Sequence, residues 1–289
     1  RVMLSILIPV YNYAVLPLVN ELVKQCNSCG ITFEILCQDD ASNSIENLQN
    51  QEINSFPNCS FFANKTNLGR GKKINSLAQK AKYNWLLILD CDTFPKENNF
   101  IQDYISAISN SNEKVVFGGI IYEDKKPQKK QLLRWIYGRE RETSAILSSN
   151  LLIKKDVFLQ FSFDEEITKY GYEDLLFFSV LKKNHFEVSK IENSTFHLSL
   201  ETSEVFLNKT KTALENLVFL YNSGKISSEE SKIIKAFELL KSLKLIGFTR
   251  FVFNKNRKRI EQNLLSENPS LFYFDLYKLG YFCVLNSTK

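Results

Sequence analysis

The early part of the chain alternates short apolar runs with helical patterns, and this alternation constrains the fold more than any other feature. The apolar runs are continuous, which indicates strands that are covered on both faces. We therefore predict an α/β fold with a mostly parallel sheet flanked by helices. The runs are LSILIPV (4–10), FEILCQD (33–39), CSFFA (59–63), NWLLILD (84–90) and KVVFGGIIY (114–122), with helical patterns near 14–28, 43–53, 70–82 and 97–110.

Length and composition are those of a globular protein with room for a large core. The chain has 289 residues, of which 44% are hydrophobic and 24% are charged. After about Ser203 the strand patterns give way to long helical ones, so we expect an α/β domain over residues 3–203 and a helical C-terminal extension over residues 204–289. The six cysteines are scattered, which favours buried thiols in a reducing compartment over a disulfide framework.

The start of the chain and its charge distribution predict a cytoplasmic protein. The first strand-like run directly follows the single methionine, Met3, so we expect translation to begin there without a signal peptide. The net charge of +5 arises in the tail, since residues 241–289 hold nine basic and three acidic side chains. We expect an acidic surface such as anionic lipid as a partner of this tail alone, and no nucleic-acid partner.

Two aspartates follow the fourth apolar run, at the sheet edge where parallel α/β folds bind ligands. In an extended backbone the carboxylates of Asp90 and Asp92 would face the same point. Two like charges are tolerable there when a cation lies between them, and Mg²⁺ or Mn²⁺ prefers such oxygen ligands together with phosphates. The alternative is that an aspartate here ends the strand and caps the next helix.

Two other strand ends carry candidate ligand-binding residues. Asp39 and Asp40 follow the second run, where one would form an Asx-turn or helix cap and the other could accept hydrogen bonds from a nucleobase. Asn67, Arg70 and Lys73 lie in NLGRGKK at the start of a helix, where backbone amides and cations favour phosphate. A solvated helix start is the alternative interpretation of that segment.

A third acidic pair and the two histidines complete the candidates. Glu173 and Asp174 begin an apolar helix, where they either complement the helix dipole, by about 0.3–1 kcal/mol, or take a proton from a substrate hydroxyl. His185 fits a solvated loop. His197 is either structural or, beside an aspartate pair that lacks a third ligand, a metal ligand.

Six short motifs occur in order between Met3 and Leu200. They read ILIPVYN, QDDASN, NLGRGKKIN, LDCDTFP, SSNLLIKKDVF and GYEDLLFFSVLKK. Together they resemble the family 2 glycosyltransferases, which have the GT-A fold. The resemblance implies an inverting glycosyltransferase that uses a nucleotide-sugar donor, with a UDP-sugar expected, and a divalent metal, Mn²⁺ or Mg²⁺.

The resemblance also implies roles for single residues on the donor side. It identifies Asp90-Cys91-Asp92 as the DxD motif, with Asp92 mainly on the metal, Asp90 near the donor ribose and the metal, and His197 completing the metal shell. Asp40 or Asp39 would meet the uracil edge. The residues expected to bind the nucleotide-sugar are Pro9, Tyr11, Asp39, Asp40, Asn67, Arg70, Lys73 and Asp90.

On the acceptor side the resemblance points to the ED pair. Asp174 aligns with the catalytic base of the family, and Glu173 would orient the acceptor or Asp174. One departure is that the sequence here is KYGYED, whereas a glycine pair often precedes ED in the family. The basic loop Lys125 to Arg141 would either meet a diphosphate-linked acceptor or form a solvated helix face.

The predicted function is transfer of a sugar to a hydroxyl of a glycan or lipid-linked glycan, in the synthesis of a cell-surface polysaccharide or glycoconjugate. The alternative is a non-catalytic sugar-nucleotide or glycan-binding protein on the same scaffold. In the tail, a cationic cluster lies beside six aromatic residues between Phe272 and Phe282. This segment would either attach to the inner face of the cytoplasmic membrane or pack on the catalytic domain or a second subunit.

Overall fold

The apolar runs form strands in the computed structural model, which describes residues 2–286. The strands are β1 Met3–Val10, β2 Thr32–Asp39, β3 Cys59–Ala63, β4 Trp85–Leu89, β5 Thr93–Pro95, β6 Val115–Phe117, β7 Ile120–Ile121, β8 Asn150–Lys154, β9 Ser189–Lys190 and β10 Thr195–His197. Within these residues the main sheet has seven strands in the order β3-β2-β1-β4-β8-β6-β9, and a small sheet has the order β5-β10-β7.

The main sheet is mostly parallel, as the sequence predicts. Parallel pairing joins β1 to β2 and β4, β2 to β3, and β6 to β9, whereas β8 runs antiparallel to its neighbours β4 and β6. Every residue of β1 from Leu4 to Val10 is buried, so side chains on both faces of this central strand are covered. The run KVVFGGIIY is interrupted at its two glycines, and its halves, β6 and β7, belong to different sheets.

Helices and short helical turns connect and cover the strands. The helices are α1 Leu16–Ser28, α2 Glu46–Asn50, α3 Arg70–Lys80, α4 Phe100–Asn110, α5 Leu132–Tyr137, α6 Lys155–Gln160, α7 Glu173–Lys183, α8 Ser203–Asn222, α9 Lys232–Ser242, α10 Ile246–Leu264 and α11 Leu271–Leu285. Gln51–Ser55 and Lys129–Gln131 are 3₁₀ turns, and Gly138–Glu142 is a π-helical turn. Among residues 2–286, no helix combines the length and the apolar character needed to cross a bilayer.

The described chain divides into two compact units that interleave in sequence. The first unit holds the chain up to Glu123, Arg141–Thr168 and Val180–Ser199. The second unit holds Asp124–Glu140, Lys169–Ser179 and the chain from Leu200 onward. The helical segment after residue 203 thus shares its unit with two short segments from earlier in the chain, and the domain boundary at 203/204 stays a prediction.

Each unit has its own apolar core. The core of the first unit is built from β1, β2 and β4 with α1 and α4, and Cys91 packs against it. In the second unit the core is aromatic and includes Phe206, Phe253, Phe274 and Tyr277. Packing of α11 within this unit buries three of the six aromatic residues at 272–282, namely Phe274, Tyr277 and Phe282, as the packing alternative expects for them, and membrane contact of the segment stays a prediction.

A buried hydrogen-bond network lies where the two sheets of the first unit diverge. The Asn150 side-chain amide donates to the carbonyl oxygens of Gly119, at 2.8 Å, and Asn193, at 2.9 Å, and its oxygen accepts from the Tyr104 hydroxyl at 2.6 Å. A Cβ atom at Gly118 would lie 2.3 Å from the Tyr104 hydroxyl oxygen and 2.5 Å from the Asn193 carbonyl oxygen. This close approach explains the glycine at position 118.

Replacement of this glycine tests the network. We expect Gly118→Ala to lower the free energy of unfolding by about 1–3 kcal/mol, because the methyl group must displace buried hydrogen-bonded groups. In Gly247→Ala, the matched control on α10, the added methyl group meets no atom within 4 Å. The control is expected to raise the free energy of unfolding by up to about 1 kcal/mol. Equal urea midpoints for the two variants would contradict this account.

Candidate active site

Four parallel strands bring their carboxyl ends to one edge of the main sheet, and most of the predicted site residues follow them. These strands are β1, β2, β3 and β4. The loops begin in hydrogen-bonded contact, since the Asp40 amide donates to the Val10 carbonyl at 3.0 Å and the Asn64 amide donates to the Asp39 carbonyl at 2.8 Å. The edge is therefore preorganised by backbone hydrogen bonds.

The two aspartates at the end of β2, Asp39 and Asp40, make different contacts, and both are buried. The Asp39 carboxylate accepts from the Ser42 amide at 3.0 Å and from the Ser42 hydroxyl at 2.6 Å, which is the turn-forming role expected for one member of the pair. The Asp40 carboxylate accepts from the Leu68 amide at 2.7 Å and the Gly69 amide at 2.9 Å. Asp40 thus fastens the loop after β3, and a nucleobase contact by either aspartate stays a prediction.

Lys73 is a buried cation beneath these loops. Its ammonium donates to the Val10 carbonyl at 2.8 Å and lies 3.6 Å from Asp40 Oδ2, with its side chain only 4% exposed. Burial lowers the pKa of Lys73, and the negative charge of Asp40 opposes that shift. The interpretation of this helix start as solvated is therefore wrong for Lys73, because the ammonium balances a carboxylate inside the protein.

Arg70 holds the first aspartate of the DCD motif. Its guanidinium donates to Asp90 Oδ1 through Nε at 2.9 Å and through Nη2 at 2.7 Å, and to the Ser148 hydroxyl through Nη1 at 2.9 Å. The Arg70 and Asp90 side chains are 23% and 28% exposed. Two charge-assisted hydrogen bonds to the same oxygen hold the Asp90 carboxylate beside the guanidinium more firmly than a single contact would.

The second aspartate of the motif lies beside His197. Asp92 Oδ2 is 3.4 Å from His197 Nε2, and the Asp92 carbonyl accepts from the Leu198 amide at 2.9 Å. Pairing of β5 with β10, in which Thr93 lies opposite His197, brings these distant residues together. The Tyr122 ring stacks on the imidazole at 5.3 Å between centroids, so the histidine is packed in place.

A turn, and not a continuing strand, presents the two carboxylates. The Thr93 amide donates to the Asp90 carbonyl at 3.2 Å. The extended backbone that the sequence analysis assumed at this motif is therefore wrong, and a common point for the two carboxylates stays a prediction. Asp90 lies with Arg70, Asp92 lies with His197, and the Cys91 thiol between them packs toward the core, where burial and then Asp92 raise its pKa to about 12.

The Asp92 and His197 pair fits a divalent metal ion. Neighbouring ligands of an octahedral ion with bonds near 2.1 Å lie about 3 Å apart, close to the observed Oδ2 to Nε2 distance of 3.4 Å. In the part of the chain that the structure describes, no three His, Cys, Asp or Glu side chains gather into a metal cluster. Two candidate donors, Asp92 and His197, therefore lie side by side, and the metal roles of Asp90, Asp92 and His197 all stay predictions.

The other predicted donor-side residues lie along the same edge but are not gathered into one cluster. Tyr11 follows β1 and is 51% exposed, with the Lys73 ammonium 5.9 Å from its ring centroid. Pro9 is buried within β1, so its ring faces the interior of the protein. Asn67 is exposed, and its side chain accepts from the Gly69 amide at 3.1 Å.

The ED pair belongs to the second unit, at the first turn of α7. The Glu173 carboxylate accepts from the Gly171 amide at 2.8 Å, and the Asn216 side chain donates to the Gly171 carbonyl. Gly171 and Tyr172 have φ values of 102° and 64°. Tyr172 thus adopts the left-handed conformation that a glycine would favour. This is the position at which the sequence departs from the family's glycine pair. Glu173 and Asp174 follow Tyr172 directly.

Two residues near the acidic motif were not predicted. Tyr122, at the end of the GGIIY run, stacks on His197. Tyr13 lies near Asp92, and its pKa is raised by burial and then by the charges of Asp92 and Cys91. Neither residue carries a chemical signature in sequence, because aromatic side chains are usually core residues.

The buried Asp40 and Lys73 pair generates a stability prediction. We expect Asp40→Asn to lower the free energy of unfolding by about 3–5 kcal/mol, because it leaves the Lys73 ammonium buried without its counter-charge. The double variant Asp40→Asn with Lys73→Met should lose less than the sum of the single changes. Urea unfolding measures these losses. A loss no larger than that of Ser42→Ala, about 1 kcal/mol, would contradict the assigned role.

The fold resembles solved glycosyltransferase structures. Residues 1–349 of TarS from S. aureus align at 17% identity over 99% of this chain and 91% of that chain, with a TM-score of 0.52. The mannosyltransferase PcManGT from Pyrobaculum calidifontis, solved with GDP-Man and Mn²⁺, aligns at 10% identity over 99% of this chain and 86% of that chain, with a TM-score of 0.58. At such identities the likeness shows a shared fold.

A third alignment is shorter. TarS 1–349 in complex with UDP-GlcNAc aligns at 18% identity over 73% of this chain, with a TM-score of 0.49, and the match spans 65% of that chain, just under two thirds of its length. A search of curated proteins found no significant match.

A family model gives the assignment. The model described as Glycosyl transferase family 2 matches residues 5–168, which is more than half of the chain. The matched range contains the DCD turn, Arg70 and the loops fastened by Asp40. The predictions of family and of fold class are both confirmed, and this chain belongs to glycosyl transferase family 2.

Proposed function

We propose that this protein is an inverting, divalent-metal-dependent glycosyltransferase that moves a sugar from a nucleotide-sugar donor to a hydroxyl of a glycan or lipid-linked glycan. The observation that carries the proposal is the contact between Asp92, in the turn after β4, and His197, at the end of β10. The chain that makes this contact belongs to glycosyl transferase family 2. Alone, an aspartate at a strand end could be a cap. Beside a histidine that is packed against Tyr122, the aspartate would form with that histidine a donor pair for a metal ion.

On the donor side, Asp92 and His197 would hold Mn²⁺ or Mg²⁺. When bound, the ion would neutralise the developing charge of the departing diphosphate. The Arg70 guanidinium keeps Asp90 oriented, so that Asp90 can accept a hydrogen bond from the donor ribose or join the metal shell. The exposed Tyr11 ring offers a stacking surface at the end of β1. Asp39, Asp40 and Lys73 would support from below the loops that follow β1, β2 and β3, where the nucleotide is proposed to bind. Asn67 would line this site, and Pro9, buried within β1, would shape it from the interior.

We propose a UDP-sugar as the donor, on the strength of the motif resemblance. A GDP-sugar is the second candidate, because PcManGT was solved with GDP-Man and Mn²⁺. A screen of UDP-sugars and GDP-sugars for Mn²⁺-dependent hydrolysis decides between them. If the protein binds a nucleotide but neither transfers nor hydrolyses any nucleotide-sugar, the non-catalytic binding protein becomes the better interpretation.

On the acceptor side, Asp174 is the proposed general base and Glu173 the group that fixes the turn before it. The base would remove the proton of an acceptor hydroxyl as its oxygen attacks the anomeric carbon, which inverts the configuration at that carbon. The Glu173 contact to the Gly171 amide supports this division of roles, because it occupies Glu173 in local structure. The product would be a cell-surface polysaccharide or glycoconjugate, made by a cytoplasmic enzyme.

Removal of the metal donors should weaken nucleotide binding. We expect His197→Ala to weaken Mn²⁺-dependent binding of the donor nucleotide by about 10–100-fold, and Asp92→Ala by at least as much. Isothermal titration calorimetry with and without Mn²⁺ measures the effect. Glu113→Ala, which removes an exposed carboxylate from the chain before β6, is the control and should bind as the original protein does. Unchanged Mn²⁺-dependent binding in Asp92→Ala would refute the metal assignment.

Replacement of the base should separate chemistry from binding. We expect Asp174→Asn to lower kcat for transfer by about 10²–10⁴-fold, since the amide cannot accept the proton, while nucleotide and Mn²⁺ affinity stay unchanged. Asp275→Asn, on the exposed side of α11, is the matched control. Full transfer by Asp174→Asn would show that another group is the base. Loss of nucleotide affinity in the same variant would show a donor-side role instead.

A further inference from the structure

The outer surface around α10 is unusually apolar. Six large hydrophobic residues within a short stretch are well exposed, and we call them the α10 patch. They are Leu239 at 60% exposure, Leu243 at 57%, Leu245 at 40%, Phe248 at 65%, Phe251 at 63% and Val252 at 40%. Two exposed phenylalanines one helical turn apart are a costly arrangement for a surface that faces only water.

The opposite side of α10 explains why these residues cannot all turn inward. Phe253, Ile260 and Leu264 are buried and form the contact of α10 with the core of the second unit. Phe248, Phe251 and Val252 follow helical spacing on the other side. The helix therefore has two apolar surfaces, whereas a surface helix that serves only its own fold has one.

A groove between α10 and α11 continues the patch. It has a volume of about 330 Å³, and its lining includes Phe248, Val252, Leu276 and Arg259. Leu276 is 40% exposed, and Phe272, one turn earlier on α11, is 67% exposed. The apolar surface thus extends over two neighbouring helices and ends beside a cation.

The segment that carries the six residues of the α10 patch has charges of one sign. Residues 239–260 contain seven basic and no acidic residues. Lys255 and Lys258 are exposed on α10, in the turns that follow Phe251 and Val252. Each basic residue close to an anionic lipid surface contributes about 1 kcal/mol to binding, and aromatic side chains insert at the level of the lipid headgroups.

We propose that the α10 patch is a docking surface for an anionic phospholipid bilayer, with Phe248 and Phe251 inserted at the interface and Lys255 and Lys258 at the headgroups. A second copy of the chain is a poorer occupant, because a twofold contact through this patch would bring two purely basic segments together. The α10 patch differs from the segment that the sequence analysis considered for membrane contact, which is the aromatic cluster at 272–282. In that cluster only Phe272 is more than 60% exposed.

Vesicle co-sedimentation of the full chain tests the proposal. We expect binding to phosphatidylglycerol/phosphatidylcholine vesicles, little binding to phosphatidylcholine alone, and a decrease as salt rises, because screening shortens the reach of the charges. Phe248→Ser with Phe251→Ser should lower the partition coefficient by at least about tenfold. Phe219 is another exposed phenylalanine of the same unit, at 43% exposure. The control variant Phe219→Ser should keep the partition coefficient within about twofold of that of the original protein.

A charge reversal gives an independent measurement. Lys255→Glu with Lys258→Glu should lower binding to the anionic vesicles by at least about tenfold, whereas Lys125→Glu with Lys126→Glu, which makes the same change in net charge elsewhere, should lower it by less than about threefold. As a variant that keeps the aromatic side chain, Phe248→Trp should show a blue shift in fluorescence on addition of the anionic vesicles.

Three outcomes would overturn the proposal. They are equal binding to neutral and anionic vesicles, an equal loss in the patch variants and their controls, and a dimer in lipid-free solution that Phe248→Ser with Phe251→Ser dissociates. The vesicle assay requires neither a nucleotide-sugar nor a metal ion. A failure of vesicle binding would therefore leave the proposed transferase activity untouched. A failure to find transferase activity would likewise leave the proposed docking surface untouched.

Discussion

The Asp40 carboxylate is the contact on which the arrangement of the candidate site depends. It accepts hydrogen bonds from the amides of Leu68 and Gly69 and balances the buried Lys73 ammonium, which in turn binds the Val10 carbonyl. One charge pair thereby ties together the loops that follow β1, β2 and β3. Because α3 begins within this set of contacts, the position of Arg70, and through it the orientation of Asp90, follows from a residue that is itself buried.

The sequence predicted most of the sheet because its long strands are continuous apolar runs that are buried on both faces. Such a run can be recognised from a few consecutive residues alone. The division of KVVFGGIIY into β6 and β7 was not predictable, since it depends on the close approach of Tyr104 and Asn193 to Gly118. Strand β8 was not among the predicted strands. Its antiparallel direction was not predictable either, because its partners β4 and β6 are set by residues far away in the chain.

At the site, acidic residues were predictable and their partners much less so. Asp92 and His197 were expected together because of the family resemblance, and the register of β5 against β10 places them 3.4 Å apart. Arg70 was expected to meet a phosphate, which stays a prediction, and its contacts to Asp90 and Ser148 were not expected. On the tail, composition marked aromatic and basic residues, and only packing distinguishes the buried Phe274 and Tyr277 from the exposed Phe248 and Phe251.

The Arg70 to Asp90 contact has a consequence for how this protein is made. Two carboxylates in one short turn would repel each other during folding, and a site of that kind would depend on its ion to close. Here the chain supplies a guanidinium for Asp90, and His197 Nε2 lies 3.4 Å from the Asp92 carboxylate. The charge of Asp90 is therefore balanced within the chain, and this edge of the sheet can fold without an added cation at that carboxylate.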